Sequence, residues 1–581
     1  MKLKHLFLSF VTIFASVGAS IFAQTGASIS GNVVDSNGAS VPGATVKVIS
    51  LSTNAARTAT GASDGSYNLT QLAPGMYSVT VSQPGFKATK IDSLQLGVGQ
   101  SRELNITLET GDVSVFVNIA STEAEPAVID QSSNRLGVNI SSKEVEQLPV
   151  NGRNYAQLYL NAPGVVNTGT GNFNDLRFNG RSNQQNQTKL DGIEATAIFD
   201  ASPGYVTVQG SNFRLQTSIE NIQEFRVDSS NYPAEYGTGT GGQINVVGKS
   251  GGNEFKGSLF HYFRNSALDA RNFFDSSVTS PLRLNQYGGS FGGPIVKDKM
   301  FFFGSFEGLR QRAGFNIFES APSTNVRDFI AYYTGEAGDA RGIAARVALG
   351  ITDADATAAL TRIANLRATG IINAFPVGTG STFSVGGLTN SAQLLQVNRS
   401  ARLDEDAYSF RVDYKVNDAV SLFARYQRNN GTLFSPDGAS GRFIKATQKP
   451  DNFVFSVSQI LSGSMVNETK FGINRAATYL GTNIPSITGL SGIDLTATAF
   501  RLSGTIVSPG VNGGAPTGFS EPGGLTRQSS AGNGRAQPIS PTSLSFIDTL
   551  TGTKGNHTFK FGGEVRLLKV DFDQLGGTVY S

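Results

Sequence analysis

Between residues 253 and 581, nine separate stretches alternate apolar with polar residues, and the connections between them run long, short, long, short without exception. The stretches lie near 254–264, 284–292, 300–311, 406–414, 419–428, 452–460, 466–475, 543–550 and 557–568. Tyr408, Phe410, Val412 and Tyr414 share one face, and Ser409, Arg411 and Asp413 the other. Phe559, Phe561, Val565 and Leu567 oppose Lys560, Glu564 and Arg566 in the same way. A period of two marks strands that bury one face only, which suits a soluble sandwich or a membrane barrel with a wet lumen. The connections separate these two. Short ones fall around 296–299, 415–418, 461–464 and 551–556, and the long ones include 312–405 and 476–542. Tight turns at one end and long loops at the other are the pattern of outer-membrane barrels. The expectation is a transmembrane antiparallel β-barrel over 253–581, with Phe301, Phe302, Phe303, Tyr408, Tyr414 and Tyr426 suited to interfacial girdles, although Trp is absent.

The N-terminus indicates export. Lys2 and Lys4 precede an apolar run from Leu6 to Ala15, and Ala23 is a small residue suited to cleavage before Gln24. The run is too short for a membrane-spanning helix, so residues 1–23 read as a signal peptide. Without Lys2 and Lys4 the chain is nearly charge-balanced, which is no footprint for nucleic acid. There is no Cys, and after residue 23 only His261 and His557 remain, so neither a disulfide framework nor a His-rich zinc site can form. No metal, cofactor or catalytic constellation is expected.

Residues 27–110 carry short alternating strands at 29–35, 44–48, 67–69 and 77–81, punctuated by Ser36-Asn37-Gly38 and Pro74-Gly75. Turns at this spacing suggest a small β-sandwich. Residues 111–126 are a polar connector around one β-prone run, Val113-Ser114-Val115-Phe116-Val117. Residues 127–252 read as an α+β unit. Ser141 with Glu144 forms a capping-box signature before a helix that Pro149 stops, Leu190-Asp191-Gly192 is a turn, and 219–227 and 243–247 read as strands.

Two resemblances then become specific. Gly31-Asn32-Val33, Val41-Pro42-Gly43-Ala44, Asp64-Gly65-Ser66-Tyr67, Leu72-Ala73-Pro74-Gly75-Met76-Tyr77 and Gly85-Phe86 resemble a carboxypeptidase-regulatory-like domain, an accessory sandwich without the zinc ligands of a peptidase. The stretch 127–252 resembles the plug of TonB-dependent outer-membrane transporters of the Oar-like subgroup. The runs that match are Gln147-Leu148-Pro149-Val150-Asn151-Gly152-Arg153-Asn154, Phe178-Asn179-Gly180-Arg181-Ser182, Leu190-Asp191-Gly192, Ile222-Gln223-Glu224-Phe225, Ala234-Glu235-Tyr236-Gly237, Gly241-Gly242-Gln243-Ile244-Asn245 and Lys249-Ser250-Gly251. The resemblance implies a gated importer of an unidentified solute in the cell outer membrane, embedded in its lipid and energised by TonB and its inner-membrane complex. It makes Val113, Ser114, Val115, Phe116 and Val117 the candidate Ton box, and Arg153, Arg181, Glu220, Glu224, Arg226 and Lys249 candidates for docking the plug on the barrel wall. A surface-binding or adhesion protein without transport is the alternative.

Gly237-Thr238-Gly239-Thr240-Gly241-Gly242 satisfies G-x-G-x-x-G, but a strand follows it where a dinucleotide site needs a helix, so these glycines read as structural. The Ala-rich stretch from Gly342 to Arg367 has helical composition inside the longest loop. Transporters of this kind use roughly 22 strands and bacterial single-chain barrels an even number, so nine strands imply a longer natural product.

Overall fold

The computed structural model describes residues 26–112, 116–119, 135–168, 176–196, 217–232, 236–237, 239–270, 281–335, 340–352, 378, 380–385, 388–436, 443–483, 498–500, 537–554, 557–572 and 578–580. The signal-peptide reading of 1–23 lies outside these residues, as do Val113, Ser114 and Val115 of the candidate Ton box.

The N-terminal sandwich packs two sheets. One joins β1 (Ala27–Asp35) to β4 (Ser66–Leu72), β7 (Ser101–Glu103) and β8 (Ile106–Leu108). The other runs β3 (Ala56–Thr60), β2 (Thr45–Ser50), β5 (Gly75–Ser82), β6 (Ala88–Leu96) and β9 (Phe116–Ile119). Alternation sends Ile29, Val46, Val48, Val79, Val81 and Leu96 into a core from which solvent is excluded. β9 is the second half of the connector strand. It lies parallel to β6 and pairs Phe116 with Ala88 through Ile119 with Ile91.

The middle unit is α+β. Its sheet runs β10 (Leu136–Ile140), β15 (Ile222–Ser230), β16 (Gln243–Gly248), β13 (Gln187–Leu190) and β14 (Ile193–Glu194), and a hairpin of β11 (Val165–Asn167) and β12 (Leu176–Phe178) stands apart. α1 (Ser142–Gln147) carries the capping box: the Ser141 side chain accepts from the Glu144 N–H and the Glu144 carboxylate from the Ser141 N–H. One boundary differs from the sequence reading. Ile219–Asn221 is a 3-10 turn capped by Ser218, so the strand starts only at Ile222 and continues to Ser230. The glycine run is structural: Gly239 has φ +80°, and a Cβ at Gly242 would lie 2.6 Å from the Phe178 ring.

The C-terminal half is one antiparallel sheet in sequence order, with each strand paired to the next: β17 (Lys256–Asn265), β18 (Leu282–Val296), β19 (Met300–Pro322), β21 (Leu388–Lys415), β22 (Val420–Pro436), β23 (Phe443–Ser462), β24 (Met465–Asn483), β26 (Gln537–Lys554) and β27 (His557–Phe572). All nine expected strands are present. β20 (Thr382–Val385) adds to β21, and β25 (Thr498–Phe500) pairs with β28 (Thr578–Tyr580). Several strands are far longer than the alternation indicated. The register of β19 with β21 runs from Met300↔Tyr414 to Pro322↔Ala392, so much of the expected loop 312–405 is a β-ribbon that keeps its own backbone groups paired. Two helices sit at its tip, α2 (Thr324–Gly335) and α3 (Ala340–Ala348); α3 covers the start of the Ala-rich stretch, of which residues 353–367 lie outside the described residues.

The two faces of this sheet differ as expected. Tyr408, Phe410, Tyr426, Phe559, Phe561 and Leu567 are exposed outward, while Glu307, Arg425 and Lys470 are buried inward. The run Phe301-Phe302-Phe303 does not form a girdle as a unit. Phe301 and Phe303 are buried and only Phe302 points out, because consecutive residues of a strand take opposite faces. The sandwich sits at the short-turn end. The Asn54 amide donates to Asp298 (2.9 Å), the Asn68 amide to Thr558 (2.7 Å), and the Asn253 N–H to the Ser52 carbonyl (2.8 Å).

Candidate functional site

The middle unit is seated on the inner face of the large sheet by ion pairs, and the deepest is made by the turn between β13 and β14. Asp191 and Gly192 take φ +52° and +89°, the left-handed pair that a two-residue hairpin turn requires and that Asp-Gly tolerates. This turn holds the Asp191 carboxylate against the wall. Arg425 Nε donates to Oδ2 at 2.5 Å, the Gly248 N–H to Oδ1 at 2.9 Å, and Arg411 Nη1 lies 3.5 Å from Oδ1. Burial alone would raise the Asp191 pKa, but Arg425 and Arg411 outweigh it and hold the carboxyl below its ordinary range. Arg425 also donates to Asn452 at 2.7 Å, yet its Nη1 has no partner among the described residues. The pair therefore does not recover its full desolvation cost.

Two further contacts flank it. Arg566 Nη1 reaches Glu194 at 3.0 Å, and Ile193 packs with Val454 and Ile547 over Gly472, where a Cβ would stand 2.8 Å from Ile193. At the other side Arg153 binds Glu220 (2.9 Å) and the buried Glu307 (3.4 Å), and its guanidinium lies over the Phe260 ring at 4.1 Å. Glu307 also accepts from Ser218 and Gln286, and Glu220 accepts from Ser258 (2.5 Å).

The six charges singled out in the sequence thus separate. Arg153 and Glu220 stand at the wall. Arg226 pairs with Asp228 (2.8 Å) and Lys249 with Glu146 (2.8 Å), both inside the middle unit. Arg181 is exposed. Glu224 turns to the sandwich, near the Val98 backbone and the Asn139 side chain. The reason is sheet geometry: β15 sends successive side chains to opposite faces, so Glu224, Arg226 and Asp228 share the face opposite the core residues Phe225 and Val227. The residues that sequence reasoning missed as contacts are Asp191, Glu194, Glu307, Arg411, Arg425 and Arg566. Arg411 and Arg566 were legible as inward polar positions and Asp191 as a turn, but nothing local shows which carboxylate meets which arginine.

An Arg153→Ala substitution leaves Glu307 buried without its cation and should loosen the seating by about 2 kcal/mol. Arg181→Ala should change nothing. Thermal melting and detergent sensitivity of cells carrying each variant would distinguish them, and equal behaviour of the two would remove Arg153 from the seating contacts.

The family model described as an outer membrane beta barrel domain matches residues 247–578, more than half of the chain, and that of the carboxypeptidase regulatory-like domain matches 28–109. The TonB-dependent transporter Oar of Myxococcus xanthus is 30% identical over 309 residues, which is 50% of this chain and 27% of that protein. Among solved structures, the outer membrane transporter YddB from Escherichia coli aligns with TM-score 0.45 at 13% identity, over 75% of this chain and 48% of its own. A mutant of the ferric enterobactin receptor PfeA from Pseudomonas aeruginosa aligns with TM-score 0.43 at 11% identity, over 75% and 49%. The chain therefore spans about a quarter of the curated relative and about half of these structures.

Proposed function

This chain belongs to the outer membrane beta barrel domain family and lies in the outer membrane, and from that premise we propose that it is a TonB-dependent receptor that imports a solute through a plugged barrel. The observation that carries this reading is the seating of the middle unit on the inner wall through Asp191, Glu194 and Arg153, each held by a buried or half-buried partner on the strands. A unit so placed blocks the lumen and can be freed by breaking a few polar contacts. The likeness over half the chain to a protein named as a TonB-dependent transporter supports the same reading.

The outer membrane holds no ATP, so the work of unseating the plug comes from a periplasm-spanning partner, TonB with its inner-membrane complex. The connector supplies the handle. Val113 to Val117 is β-prone, and its described continuation, Phe116–Ile119, is extended and already pairs with a sheet edge, which is the mode by which a peptide strand adds to a partner's sheet. Val115→Pro, which fixes φ and removes a backbone donor, should abolish energised uptake and leave surface binding of the solute intact. Uptake equal to wild type would place the handle elsewhere. The reading as a whole is tested by solute uptake in a deletion strain complemented with the gene, with and without dissipation of the proton gradient. Uptake that collapses with the gradient is expected. Surface binding without any uptake would instead make this an adhesion or binding protein.

A further inference from the structure

Parity divides the ion pairs of β19 and β21 into two sets. Odd positions, such as Glu307 and Arg411, meet the plug. Even positions face away from it, and there Arg310, Arg312, Arg402, Asp404 and Asp406 form a second cluster that the seating does not use. Arg312 stands directly opposite Arg402 on β21 and directly opposite Arg283 on β18. Three arginines are thus directly cross-strand on adjacent strands, and like charges so placed cost free energy unless an anion joins them. Asp404 is shared by Arg312 (2.7 Å) and Arg402 (2.5 Å), and Asp406 is held by Arg310 (2.8 Å). Arg283 has no carboxylate partner among the described residues, nor has Lys445, which continues the row beyond Phe434. Arg312 and Arg402 remain 43% and 56% exposed.

The height of the row identifies what it meets. On β19 and β21, from the short turn where Met300 faces Tyr414, the outward face carries Phe302, Phe306, Tyr408 and Phe410 before the charges begin at Arg310, opposite Asp404, whereas on β22 the outward Arg428, opposite Tyr408, already pairs with Asp451 of β23 (3.3 Å). Ten residues at about 3.4 Å each, tilted by about 40°, rise roughly 26 Å, the thickness of the apolar band of an outer-membrane barrel. The arginines therefore stand where the hydrocarbon ends on the side of the long loops, at the headgroups of the outer leaflet.

We propose that Arg283, Arg312 and Arg402, with Lys445 beside them, form a binding site for the phosphorylated headgroup of an outer-leaflet glycolipid. The planar fork of Arg matches phosphate oxygens in pairs, and the apolar band below accepts the acyl chains. The site rests on the outer-membrane placement alone and not on transport.

The test uses protein extracted from outer membranes in non-ionic detergent, titrated with bisphosphorylated lipid A, with the same lipid stripped of phosphate, and with inorganic phosphate. Binding of the phosphorylated lipid should be at least about tenfold tighter than of the stripped one and should weaken with salt. A triple variant, R283Q/R312Q/R402Q, should lose roughly a hundredfold in affinity. Asp404→Asn removes the competing carboxylate and should bind more tightly than wild type, a gain that misfolding cannot produce. Equal affinity for the two lipids, or a triple variant that binds like wild type, overturns the proposal. Saturation by inorganic phosphate at the same concentration as the lipid also overturns it, since the site would then hold the free anion.

Discussion

Replacing Asp191 by Asn should unseat the plug more than any other single change at the wall. Asn tolerates the left-handed backbone that this turn position requires, so the substitution removes charge without adding strain. It leaves Arg425, which is 1% exposed, without its counter-charge. Breaking a buried pair from one side typically costs about 3–5 kcal/mol, because the remaining charge cannot return to water. The expected result is faster proteolysis within residues 135–248 in isolated outer membranes and greater sensitivity of cells to large antibiotics. Adding Arg425→Met should recover most of the loss, since the stranded charge is then gone. If Asp191→Asn leaves both measurements at wild-type values, the hairpin turn does not hold the plug.

The second large effect concerns the contact between plug and sandwich. Glu224 is 3% exposed at this contact, where Arg135 also donates to the Gly99 carbonyl (2.7 Å). Burial pushes its carboxyl from the ordinary 4.5 up to about 8, against smaller opposing effects of the Val98 backbone and the Asn139 side chain. Its Oε1 has no hydrogen-bond partner among the described residues, so the neutral acid is the form that fits. A raised pKa fixes the sign. The contact is strongest below pH 4.5, weakens as pH rises towards 8, and changes no further above it. Each pKa unit is worth about 1.4 kcal/mol, so several kcal/mol is the ceiling of the effect. Glu224→Gln should stabilise the contact at pH 8 and flatten its pH dependence, as read by thermal melting at pH 5 and pH 8. A melting temperature that falls at pH 8 would show that Glu224 is ionised and paired in the native protein, and an unchanged slope would show that Glu224 does not set the pH dependence.

Much of the architecture was legible before any coordinates. A period of two needs only a backbone whose side chains alternate, so the nine strands and the inward place of Arg411 and Arg566 followed from local pattern. The capping box at Ser141 and Glu144 and the Asp-Gly turn are local too, since each closes hydrogen bonds or φ values within a few residues. The strand ends were not legible. Where β19 and β21 continue past the expected strands, the pairing of Pro322 with Ala392 depends on two segments that meet only when the ribbon forms.

The docking residues mark the same boundary. Sequence pattern identified charged residues within the middle unit, but burial and pairing are properties of two surfaces, and the second surface comes from strands between 38 and 372 residues away. Arg153 meets Glu307 and Asp191 meets Arg425 because a rigid turn and a sheet register bring them together. Glu224 and Arg226 were drawn from the same stretch and face elsewhere. The sequence by itself determined the strand pattern, the turn chemistry and the polarity of each face. Only the tertiary structure decided which charges lose their water together, because desolvation depends on what covers a group and not on its neighbours in the chain.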